Sequence, residues 1–222
     1  DELNVTAEVD AIKSTGDLSI SGPGTVNTTS TNNDGIEAKG DLSITGSGTV
    51  NAAGGTKGIQ SKGKTTIDSS GTVIAKGDEG YGIAAGSGLT IKGGGKVEAS
   101  SIEEAAIWAD GNIDISGGSQ VEASSQGDLA VDAEGSLAVA NASLDASGVE
   151  YGVYAYKGVT LDHATVTVRT SASGGQAIAL ITDGDDIVIK NGSIVDAFAE
   201  GKFSVAISTR NHQPNVAGGH IY

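Results

Sequence analysis

The 222-residue chain sets 28 acidic residues against 13 Lys and Arg, a formal net charge of −15, so nucleic acid and anionic membranes would be repelled by its surface. With no cysteine it lacks disulfides, thiol catalysis and cysteine metal sites, and its 35 glycines show no collagen-like three-residue period. That charge leaves cations, neutral glycans or basic proteins as partners, and no apolar stretch approaches the roughly 20 residues that cross a bilayer.

Residues 1–15 read as an incomplete first coil or cap, ending on the first copy of a short signature: a small residue, then Ile or Val, then an outward-pointing residue. The signature stands at Ala11-Ile12, Gly35-Ile36, Gly58-Ile59, Gly82-Ile83, Ala106-Ile107, Ala130-Val131, Gly152-Val153, Ala177-Ile178 and Ala206-Ile207. Its apolar members are 24, 23, 24, 24, 24, 22, 25 and 29 residues apart, a period typical of solenoids. One domain over 1–222 follows.

Between signatures the units repeat nearly residue for residue: GDLSISGPGTVNTTSTNNDGIEAK is followed by GDLSITGSGTVNAAGGTKGIQSK. Turn glycines at Gly16, Gly40, Gly63, Gly88, Gly111, Gly135, Gly158 and Gly184 bound eight units. Each holds three short runs of period-two alternation, the mark of strands, and no run has a 3.6-residue stripe. In the first such unit, Leu18 and Ile20 point inward from strand one, Val26 from strand two, and Ile36 and Ala38 from strand three.

The inward columns are Leu18, Leu42, Leu89, Ile113, Leu137, Val159 and Ile187, and then Val26, Val50, Val73, Val97, Val121, Leu144, Val166 and Ile194. The predicted fold is an all-β right-handed parallel β-helix, with three short strands per coil and about eight coils of 22–26 residues. Residues 210–222 are expected to form a terminal coil or cap, where Pro214 suits a ladder's end. The start at Asp1 is expected to mark a fragment of a larger protein.

The run GDLSITGSGTV, the DGIEAKG element and this period resemble a carbohydrate-binding-domain family of bacterial surface β-helices, related to the pectate-lyase-like superfamily. The resemblance covers about residues 10–209. It implies a non-catalytic module that binds acidic or cellulosic polysaccharide, with Ca²⁺ on surface acids. Asp precedes the signature glycine at Asp34, whereas Lys57, Tyr81, Ala105, Leu129, Tyr151 and Gln176 take that place later.

The outward residues after the signature read Lys13, Glu37, Gln60, Ala84, Trp108, Asp132, Tyr154, Ala179 and Ser208. Adding Tyr81, Tyr151 and Tyr156 places five of the eight aromatics on one face. Trp108 and Tyr154, two coils apart, are expected about 9.6 Å from each other, near the length of a β-1,4-linked disaccharide. Rings there could stack on sugars while Asp132 takes hydroxyl hydrogen bonds. Aromatics also sit on strands simply to pack, and that reading stays open.

A second outward column reads Asn27, Asn51, Ile74, Glu98, Glu122, Asp145, Thr167 and Val195. Asn27 over Asn51 predicts an amide ladder. Glu98, Glu122 and Asp145 on successive coils should repel, and either Ca²⁺ or splayed side chains helped by Lys96 would relieve them. The acids Asp34, Asp78, Glu79, Glu103, Glu104, Asp128, Glu150 and Glu200 line loops, and Asp183, Asp185 and Asp186 crowd one turn.

Catalytic elements are sparse. Asp185-Asp186 lacks the companion motifs of galacturonan hydrolases, and Asp162-His163 fits an ordinary turn. The only arginines are Arg169 and Arg210, and His163, His212 and His220 have no partners in the repeat frame. The function expected is a non-catalytic extracellular or cell-surface module for polysaccharide or host glycan, needing no cofactor beyond any Ca²⁺ on those acids. A structural spacer or protein-binding adhesin stalk is the alternative, and a calcium-dependent uronan lyase the next.

Overall fold

The structure, a computed structural model, describes residues 1–172, 175–210, 215–217 and 220–221. It is a right-handed parallel β-helix of about nine coils, and no helix occurs among the described residues. Three parallel sheets run its length. The first has nine strands, from Leu18–Ser21 to Asn215–Ala217. The second has ten, from Glu2–Ala7 to His220–Ile221, and the third nine, from Ile12–Ser14 to Phe203–Thr209.

Alternation explains the packing. In Lys96–Ser101, for example, Val97, Ala99 and Ser101 are buried while Lys96, Glu98 and Ser100 face outward. Like residues stack on like, as in Ile36, Ile59, Ile83 and Ile107, all fully buried. The narrow interior admits aliphatic side chains and alanine, and burying each large one stabilises by about 1.5–3 kcal/mol. Coil three breaks the first-strand column with Thr65, which is fully buried between Leu42 and Leu89. Its hydroxyl lies 2.7 Å from that of Ser61, which donates to the Gly63 carbonyl at 2.9 Å.

The additional coil comes from the N-terminus. Leu3 pairs with Val26 and Asn4 with Asn27, so residues 1–15 contribute two strands in full register. The amide ladder therefore begins at Asn4: Asn51 Nδ2 donates to Asn27 Oδ1, and Asn27 Nδ2 to Asn4 Oδ1, each at 2.7 Å. Beyond Arg210, strands 215–217 and 220–221 start a further coil. Pro214 lies outside the described residues, as do His212 and the side chain of His220.

The turn glycines have a steric cause. A Cβ on Gly40 or Gly63 would lie 2.2 or 2.1 Å from Oδ1 of Asp17 or Asp41 in the preceding coil. Those oxygens accept the N–H of Asp41 at 2.9 Å and of Lys64 at 2.8 Å, so glycine keeps room for a stack of side-chain turns. Elsewhere Ser87, Lys157 and Asp185 occupy that rung, one residue away from Gly88, Gly158 and Gly184.

Two frames in the last coils differ from the sequence expectation. Val195, not Ile194, stacks under Val166, leaving Ile194 43% exposed and Asp196 outward in place of Val195. Adjacent aliphatics allowed either phase, and buried Ser193, bonded to the Lys190 carbonyl at 2.8 Å, fills the inward place ahead of Ile194. In the third sheet Leu180, not Ile178, stacks on Val153 and under Ile207, so the spacings of 25 and 29 become 27 and 27. Ile181 thus replaces Ala179 in the outward column, and Ile178 replaces Gln176 beside Tyr151.

Candidate functional site

The third sheet carries the aromatic surface. Its short strands Ile107–Ala109 and Val131–Ala133 bury both flanking residues and push the middle one outward. Trp108 pairs with Asp132 and Asp132 with Tyr154, so the three expected residues occupy consecutive rungs. At about 4.8 Å per rung, Trp108 and Tyr154 are roughly 9.6 Å apart along the axis.

The remaining aromatics divide between them. The Tyr81 ring stacks on Trp108 at 5.4 Å and 18°, while Tyr151 meets Tyr154 edge to face at 6.2 Å and 69°. Such pairs contribute about 0.5–1.5 kcal/mol beyond burial, so these rings also tie coils together. Tyr154 donates its hydroxyl to Asp183 Oδ2 at 2.6 Å, and Arg210 Nε holds Asp183 Oδ1 at 3.0 Å. Tyr156 is half exposed and joins neither ring pair.

Asp132 lies partly buried between Trp108 and Tyr154, with no hydrogen bond or ion pair to any described residue. Burial, then the charges of Glu134 and Asp128, push its carboxyl up to about 6. Asp128 is raised by burial and then by Glu150 and Glu104. Burial raises the Tyr81 hydroxyl too, followed by Glu104, Asp132, Asp128 and Glu134. The charges acting most on these three groups are therefore all carboxylates.

The same column is different chemistry in the first coils. Oxygens of Asp10, Asp34 and Glu37 lie within 4.8 Å of one another. Lys13 sits 2.5 Å from Asp10 and 2.6 Å from Glu37, Lys39 also pairs with Glu37, and Lys57 is 3.9 Å from Asp34. Burial acts to raise Glu37, but its hydrogen bonds to Lys13 and Lys39 outweigh that and hold it low. Asp34 is not only a loop acid, as its place in the repeat suggests, but part of this charged cluster, and the sequence signal for it is the equal number of lysines, Lys13, Lys39 and Lys57.

On the second sheet, Glu98, Glu122 and Asp145 occupy consecutive rungs as expected. Lys96 Nζ lies 2.9 Å from both glutamates, and Arg169 Nη1 is 3.6 Å from Asp145. Cations from the flanking columns thus already relieve this ladder, and Ca²⁺ would have to displace Lys96. Asp162 and His163 sit in a turn where His163 has φ of 50° and its Nδ1 lies 2.8 Å from Asp162 Oδ1. Asn191 donates to the same oxygen at 2.8 Å, an arrangement of turn stabilisation.

No protein-family model, curated protein or solved structure matches the chain.

Proposed function

We propose that the chain is a non-catalytic, extracellular or cell-surface module that holds polysaccharide or host glycan along the third sheet, as its repeats' resemblance to carbohydrate-binding β-helices implies. One observation carries this reading: Trp108 and Tyr154 flank Asp132 on consecutive rungs, at an interval that suits alternate sugars of an extended chain. Rings supply stacking area and the carboxylate fixes orientation, the usual division of work at a ligand surface. Retention on immobilised polysaccharides, compared between the intact chain, Trp108→Ala and Tyr154→Ala, tests it. Loss in both variants is expected; retention equal to the parent's on every ligand would move the site elsewhere.

A second reading, a structural spacer or adhesin stalk, is favoured by the ring pairs and by the Tyr154 to Asp183 hydrogen bond, since all three tie neighbouring coils. In that case the same variants would change only the melting temperature.

A further inference from the structure

The charge around the aromatic rungs discriminates between kinds of glycan. Asp132 is a partly desolvated carboxylate with no cationic partner among the described residues, unlike Glu37, Glu98 and Glu122, which all have lysines. The charges of Glu134 and Asp128 act on it, those of Glu150 and Glu104 act on Asp128, and Trp108 and Tyr154 occupy the rungs on either side of it. An isolated carboxylate taken out of water is unfavourable until a cation joins it. Electron-rich ring faces attract the same kind of charge.

Resting on the reading of this surface as a glycan site, we propose that its ligand is a cationic, amine-bearing polysaccharide, such as a β-1,4-linked glucosamine polymer, with an ammonium set against Asp132 between Trp108 and Tyr154. A neutral glucan would cover Asp132 and leave its charge uncompensated. A polyuronate would add carboxylates to a patch that already holds five, Glu104, Asp128, Asp132, Glu134 and Glu150, on a chain of net charge −15. An ammonium gains from Asp132, from the surrounding field and from the indole face together. The acidic polymers implied by the family resemblance are the ones this patch disfavours.

The test is calorimetric titration of the whole chain with short β-1,4-linked glucosamine oligomers, their N-acetylated and N-trimethylated forms, cello-oligosaccharides and oligogalacturonates. Glucosamine oligomers are expected to bind, and N-acetylation to weaken them by roughly tenfold or more, the effect of losing one charge-assisted contact. The trimethylated form keeps its charge at every pH, so its affinity should rise as pH climbs through about 6, where Asp132 ionises. Asp132→Asn should flatten that profile and weaken binding by a similar factor, and added salt should weaken it further. Equal binding of glucosamine and cello-oligosaccharides, or tighter binding of oligogalacturonates, overturns the cationic assignment and leaves the glycan site standing. Binding of none of them overturns both.

Discussion

The indole of Trp108 lies nearly flat on the phenol ring of Tyr81, 5.4 Å between centroids and 18° between planes, although the two come from successive coils and different places in the repeat. The platform proposed for ligand is thus also a bond between coils. Trp108→Ala is expected to lose glycan retention and also lower the melting temperature, by an amount matching about 1 kcal/mol of lost stacking plus lost burial. Trp108→Tyr keeps a ring on Tyr81 and should melt close to the parent while retaining part of the binding. Parallel melts and retention assays separate the two roles; a melt unchanged by Trp108→Ala would show that the stack contributes nothing.

Asp132 predicts an unusual pH dependence. Its folded carboxyl is pushed up to about 6, above its unfolded value near 3.8, so between those values the folded state binds more protons. Stability therefore falls as pH rises through that window and stays lower above it. After allowance for solvent screening of a partly exposed group, the effect is roughly 1 kcal/mol. Urea melts across pH 4 to 7.5 should show this fall in the parent and a smaller one in Asp132→Asn. Asp132→Asn should therefore be the more stable protein at neutral pH without ligand.

The coil was legible because each solenoid rung repeats the same environment, so Val26, Val50 and Val73 announced one another in register. Register failed only where the repeat stretched: Ile194 against Val195 and Ile178 against Leu180 are choices between aliphatics that only neighbouring coils resolve. The outward column from Trp108 to Tyr154 was readable from the same periodicity. Long side chains were not, because Lys96 reaches two glutamates and Tyr81 reaches Trp108 through torsions that periodicity does not encode. The lysines between Asp10, Asp34 and Glu37 were hidden for the same reason.

Ser61 and Thr65 form a buried hydroxyl pair inside an otherwise aliphatic column, and the two should respond unequally to substitution. Ser61 donates to the Gly63 carbonyl, so Thr65 must donate to Ser61. Thr65→Val leaves the Ser61 donor satisfied and puts a methyl between Leu42 and Leu89, a change expected to be neutral or stabilising. Ser61→Ala strands the Thr65 hydroxyl in the core, at a cost of about 1–3 kcal/mol. Equilibrium unfolding of the two variants checks the asymmetry, and equal losses would refute the donor assignment.

Lys96 decides whether the acid ladder has room for a metal. Its ammonium, 2.9 Å from both Glu98 and Glu122, occupies the place a bridging cation would take, and those hydrogen bonds hold its own pKa high. The lysine therefore stays charged throughout the physiological range and competes with any divalent ion. Lys96→Gln removes that competitor and leaves Glu98, Glu122 and Asp145 on three successive rungs, with only Arg169 beside the last. The variant should melt lower than the parent in chelator and recover with added Ca²⁺, a hard cation suited to carboxylate oxygens. The parent's melting should respond less. A parent that gains as much from Ca²⁺ as Lys96→Gln does would mean that the ion binds beside the lysine rather than in its place.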